Sequence, residues 1–167
     1  MRTATLKPSQ FPGVTNDDQG TASILTVDPR SDGTGGVVLK VCELPNRGNA
    51  HDISCVPRGI KQVFKWGYSN AHGRNLYRAD IGDRVAIEWH SYNVAGDRAK
   101  GYAVQALGCF GPGLDFHQFK AGDWLNKELQ LKKDQWGVSG SSTAVAQLEN
   151  ALRDSGGNQE DFELTIL

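Results

Sequence analysis

Glycine interrupts this chain at close intervals: 20 of its 167 positions are Gly, and the apolar residues between them come in short runs. Gly weakens a helix interior and supplies the positive-φ positions of tight turns. A chain divided this way favours short strands and many turns over a helical bundle. Its length suits one domain with a real core. The runs themselves read mostly as strands. Thr21–Pro29 (TASILTVDP) and Val37–Pro45 (VVLKVCELP) flank the turn-rich PRSDGTGG and predict a hairpin. RVAIEWHS alternates clearly, with Val85, Ile87 and Trp89 on one face and Ala86, Glu88 and His90 on the other. Further strands are expected in ISCVP, from Ile60 to Trp66, in NLYRAD and in the closing DFELTIL, with a strand or elbow at ALGCFG.

Two short helices complete the expectation. Asp123 would cap WLNKELQL, and Ser141 or Ser142 would cap a second helix in which Val145, Leu148 and Leu152 recur at helical spacing before Gly156. Residues 1–20 are polar and carry Pro8, Pro12 and Gly13, which predicts a partly ordered arm ahead of a single domain over 21–167. The fold class is therefore mainly β (α+β), with about seven strands and two helices.

Charge excludes some functions. The net charge is −1 and no Lys/Arg run exists, so no nucleic-acid partner is expected. Locally, Val56 to Gly101 holds eight Lys/Arg against four Asp/Glu, an excess of four that suits either a solvated face or a small carboxylate-bearing ligand. No apolar run is long enough to span a membrane, and MRTATLKPSQFPG has no apolar signal region. Synthesis in the cytoplasm without a signal peptide is expected, so that any delivery to the periplasm would rely on lysis or injection. Three cysteines, Cys42, Cys55 and Cys109, are an odd set for a disulfide framework, although a Cys42–Cys55 bond stays open for an exported chain.

The stretch IEWHSYNVAGDRAKGYAVQALGCFGPG carries the chemistry. A working thiol needs a base or cation beside it, N–H donors for the developing oxyanion, and open space for substrate. His90 ends a strand, and Cys109 sits in Gly-Cys-Phe-Gly-Pro-Gly, where the backbone can turn sharply and bare its N–H groups. The backbone of Gly108, Cys109 and Phe110 would then hold the oxyanion. The plainer alternative is a packing Cys and a His at a strand end. Asn93 and Asp97 would orient His90 or bind substrate, or else only cap the loop. Cys109, His117, His90 and Cys55 have no zinc-site spacing, RSDGTGG is not a phosphate loop, and neither a metal nor another cofactor is expected.

His-Ser, a long loop and Gly-Cys-Phe resemble the signature of the L,D-transpeptidase (YkuD-type) catalytic domain. SCVPRGIKQV is similar to that family's Pro-x-Gly strand opening, and the order of the motifs agrees over Ser54–Gly113. A nearer resemblance, covering most of the chain, is to an uncharacterised phage and prophage family. It rests on Glu43-Leu44-Pro45, Ser54-Cys55-Val56-Pro57-Arg58-Gly59, His90-Ser91-Tyr92-Asn93 with Asp97, and Leu107-Gly108-Cys109. The resemblance implies an L,D-transpeptidase-like β-sandwich or barrel, with Cys109 as nucleophile and His90 as base on a peptidoglycan stem peptide or another small peptide. Ser91, Asn93, Asp97 and Arg58 are its candidates on the substrate side. Three positions depart from the pattern: Ala106 stands where Ser or Thr is usual, Leu107 where His is often found, and Gly111 where Arg is usual. Arg58, Arg98 or Lys100 would have to supply that cation. Hydrolysis, transpeptidation and a non-catalytic phage accessory, structural or host-interaction module all remain open at this point.

Overall fold

The computed structural model describes residues 1–167 as ten strands and one α-helix. The strands are β1 (Arg2–Pro8), β2 (Thr21–Val27), β3 (Val37–Glu43), β4 (Ile60–Ser69), β5 (Arg74–Ile81), β6 (Arg84–Glu88), β7 (Gly111–Gly113), β8 (Asp115–Phe119), β9 (Gln135–Ser139) and β10 (Phe162–Ile166). Helix α1 spans Ser141–Ala151. Eight strands form one sheet in the order β6-β5-β4-β10-β1-β2-β3-β7, and β8-β9 is a separate hairpin. The large sheet curls until its edges meet: a parallel bridge pairs Trp89, just after β6, with Phe110, just before β7.

Aromatic and branched side chains fill the inside of the curl. Phe64 stacks on Phe162 at 5.4 Å, and Trp89 on Phe110 at 4.3 Å. Leu6, Leu25 and Leu39 continue this core across β1, β2 and β3, and α1 adds Ala144 and Leu148. Their burial supplies the main driving force for the fold. A second, smaller core of Phe11, Cys42, Tyr92 and Val138 packs the loop after His90 and the β8-β9 hairpin against the sheet. No helix is long and apolar enough to cross a membrane.

Four expectations need correction. Residues 2–8 are not part of a loose arm but strand β1, lying between β10 and β2 with Ala4 and Leu6 buried. The WLNKELQL segment is not a helix. Asp123 Oδ2 accepts the Lys120 N–H at 2.8 Å, and Asn126 Oδ1 accepts the N–H groups of Glu128 and Leu129, each at 2.8 Å. These side chains offer the backbone a turn in place of helix bonds, and a Trp124–Gln130 bridge closes it. Helix α1 forms, but its N-cap is Gly140, at φ 63° with no side-chain cap bond, so neither serine plays the capping part. Ser141 Oγ instead donates to Pro112 O at 2.6 Å and ties the helix to β7. The ISCVP segment is also not a strand; its carbonyls serve Arg84, described below.

Candidate active site

The seam where the sheet meets itself builds the site. Ala86 has φ 55°, and its N–H is held by Asp80 Oδ1 at 2.8 Å. The β5-β6 register shifts beside it. This irregularity breaks the expected alternation: Val85 is 75% exposed, while Ile87 is 3% exposed in the core. Beyond it, the free edge of β6 is closed by residues 109–110. Phe110 N–H donates to Glu88 O at 2.9 Å, and His90 N–H donates to Phe110 O at 3.2 Å. One step earlier, the Glu88 N–H points at Cys109 Sγ, 3.4 Å away. The sulfur thus stands where a carbonyl would continue the ladder.

Arg84 holds the turn before the cysteine. It is 3% exposed and donates to Gly108 O at 3.2 Å, Ser54 O at 3.1 Å and Cys55 O at 2.9 Å. Gly108 has φ 114°, and a Cβ there would lie 1.9 Å from Arg84 Nη2. Only glycine meets both demands. The N–H groups of Gly108 and Cys109 take part in no hydrogen bond. They are the free donors next to the sulfur, the kind an oxyanion needs. Phe110, named from sequence for the same role, has its N–H committed to Glu88 O and is corrected here. At position 111, a Cβ would lie 2.5 Å from the Tyr92 ring, which explains why no arginine stands there. Tyr92 Oη reaches Cys42 O at 2.5 Å and Cys109 O at 2.7 Å, so its one proton is shared between the backbones of β3 and the cysteine segment.

Cys109 and His90 line one cleft of about 710 Å³, together with His72, Glu88, Arg98 and Leu107. No hydrogen bond joins the imidazole to the thiol, and both groups rest neutral. Burial pushes the Cys109 thiol up to about 11, although the Glu88 N–H favours the thiolate. Burial and the neighbouring His72 push the His90 imidazole down to about 4. A pair in this state is not a preformed ion pair. It can act by base catalysis, with the neutral imidazole taking the thiol proton as the sulfur attacks.

The remaining sequence candidates lie elsewhere. Arg58 is not at the cleft: it pairs with the buried Glu43 carboxylate at 2.8 Å. Asn93 Nδ2 donates to Val138 O at 2.9 Å and fixes the loop. Asp97 binds Arg47 at 2.7 Å and caps the 3-10 turn Arg98–Lys100. Ser91 Oγ is 3.0 Å from Ser142 Oγ and borders a shallower hollow that shares His72 and His90 with the cleft. The positive excess of Val56–Gly101 is largely spent on carboxylates: Lys61 pairs with Glu163, Arg74 with Glu149 and Lys100 with Asp18. Arg98 forms no ion pair and lines the cleft, so it is the cation left for a ligand. All three cysteines are free thiols, with Cys42 and Cys55 buried. No group of three or more His, Cys, Asp or Glu side chains converges as metal ligands.

Sequence reasoning passed over His72 and Glu88. Glu88 was visible only as a polar residue beside His90, and it is 4% exposed at the cleft wall. His72 lies in the four-residue turn between β4 and β5, where nothing but the closing Gly73 marked the spot. No protein-family model, curated protein or solved structure matches the chain.

Proposed function

We propose that the protein is a cysteine acyl-transfer enzyme with a fold of the L,D-transpeptidase type, of the phage or prophage kind its motifs resemble, acting on peptidoglycan stem peptides. The observation that carries the reading is the seam: a thiol and an imidazole line one cleft, and the backbone N–H groups of Gly108 and Cys109 beside the sulfur are unused. Cys109 attacks the carbonyl of a peptide bond next to a diamino acid while His90 takes the thiol proton. The N–H groups of Gly108 and Cys109 hold the oxyanion, and the acyl-enzyme passes to water or to an amine. Arg98 binds a substrate carboxylate at the cleft rim, and exposed Leu107 and Val85 offer apolar contact beside it.

The resting neutrality of the pair favours a second reading, a phage accessory, structural or host-interaction module that keeps the fold without the chemistry. Incubation with purified muropeptides, followed by mass spectrometry, separates the two. The enzyme reading expects cleaved or exchanged stem peptides and a covalent adduct on Cys109. It also expects Cys109→Ala to abolish both at a stability cost of about 1 kcal/mol or less, because a half-buried thiol packs little. A Cys109 that neither turns over muropeptides nor forms a covalent adduct with them establishes the second reading.

A further inference from the structure

His90 has a partner that its strand does not provide. The His72 ring lies against it with centroids 4.2 Å apart and planes tilted by 36°. His72 Nε2 is 3.5 Å from Glu88 Oε2. The same carboxylate oxygen accepts the Ser69 hydroxyl at 3.0 Å, and Ser69 Oγ in turn accepts the His72 N–H at 3.3 Å. Gly73, at φ 63°, closes this turn by donating its N–H to Ser69 O at 2.8 Å. The bonds of the turn tie His72 to Ser69 and Glu88, while its ring lies against that of His90. A hairpin turn needs none of this for its own sake: Gly73 already closes it.

We propose that Glu88, His72 and His90 form a proton relay leading away from Cys109, in which His72 and Glu88 act through His90 as positioning residues. The proposal rests on the reading of Cys109 as the nucleophile. In the resting site, His72 presents its Nε2–H to Glu88 and keeps Nδ1 bare. The thiol S–H bond breaks and its proton goes to the bare nitrogen of His90. The proton on the other His90 nitrogen then passes to His72 Nδ1. The result is a Cys109 thiolate, a neutral His90 in its other tautomer, and a His72 imidazolium paired with the Glu88 carboxylate. When the amide breaks, the proton returns along the same path to the leaving amine. The His72 side chain is 34% exposed, which leaves it room to turn toward His90.

The arrangement explains why a strongly desolvated imidazole can serve as base. Charge on His90 itself is costly in its buried place, whereas charge on His72 is set against a carboxylate and beside water. The charged and titratable groups around the path come from several elements. Glu88 on β6 and Arg78 on β5, 3.8 Å from Glu88 Oε1, stand behind His72. Tyr92 lies 5.0 Å from His90 across the ring centroids, Cys109 shares the cleft, and Arg98 lines it from the loop.

The test is the rate of iodoacetamide alkylation of Cys109 against pH, followed by intact mass, in the full-length protein and in His72→Gln and Glu88→Gln. Cys109→Ala reports any background from the two buried thiols. Both substitutions are expected to slow alkylation at neutral pH about tenfold or more and to move its midpoint up by about one pH unit, with melting temperatures reported alongside. A purely structural role would change the melting temperature and leave the midpoint in place. Wild-type rate and midpoint in folded His72→Gln overturn the relay while leaving the enzyme reading intact. A wild-type protein that turns over no muropeptide and forms no adduct on Cys109 overturns both. Should Glu88→Gln fail to fold, His72→Gln on its exposed turn decides alone.

Discussion

The middle of the large sheet and its seam are made of the same kind of strand and use their backbone groups differently. Across β4-β10-β1-β2 the registers run without a shift, five residue pairs at each interface, and the inward side chains are Phe64, Phe162, Leu164, Ala4, Leu6 and Leu25. At the seam, one bridge joins the edges. Ala86 and Gly108 hold positive φ, a sulfur replaces a carbonyl, and Arg84, Glu88 and His90 are polar yet buried. A ladder that uses all its N–H and C=O groups gives stability and leaves no donors for a ligand. A curled sheet closed by one bridge leaves donors over, and those are the groups acyl transfer needs. The molecule holds its fold in the middle and its unused polar groups where pairing runs out.

The sharpest way to break this division is in the middle. Leu25 is 0% exposed and sits in register between Leu6 and Leu39. Leu25→Ala should cost about 3–5 kcal/mol in urea unfolding through the cavity it leaves. The alkylation rate of Cys109 in the folded fraction should stay within about a factor of two, since distant sites act independently. A large change in that rate would mean that the two regions are one unit.

Gly108→Ala strikes the seam. It forces a Cβ into a positive-φ position and onto the buried Arg84 guanidinium. A stability loss of about 2–4 kcal/mol is expected in the same unfolding experiment. Here the alkylation rate should move with it, because the free N–H of Gly108 turns away. A wild-type rate in a folded Gly108→Ala protein would show that Arg84 and Gly108 do not set the cysteine.

The smallest effect is pH-dependent. His90 titrates near 4 when folded, against an ordinary value of 6.5. Its protonation therefore favours the unfolded chain, and stability falls as pH drops from about 6.5 toward 4. At pH 5 the wild type should have lost about 2 kcal/mol more than His90→Asn, relative to pH 7. The difference between the two proteins cancels the other titrating groups, and parallel curves would mean that His90 is far less desolvated than its place in the wall implies.

Part of this organisation was legible in the chain. The β2-β3 hairpin followed from its Gly-rich turn, β6 and β10 from alternation, and α1 from Val145, Leu148 and Leu152. The nearness of His90 and Cys109 followed from a strand end and a Gly-rich corner separated by one loop. Strand β1 was missed, although Arg2, Ala4 and Leu6 alternate, because its value lies in pairing with β10 at the other end of the chain. The helix expected after Asp123 gave way to local side-chain bonds that a propensity reading does not weigh.

By itself, the sequence determined the strand-rich class, the near-neutral charge without a Lys/Arg run, and the short stretch that carries both His90 and Cys109. Glycine spacing, net charge and short-range periodicity are local properties, and they act wherever the chain goes. The closure of the sheet, the burial that keeps Cys109 and His90 neutral, the withdrawal of Arg58 to Glu43, and the approach of His72 and Glu88 were decided only in three dimensions. Each depends on which groups lose water together, and residues far apart in the chain reach that state only once the sheet has curled.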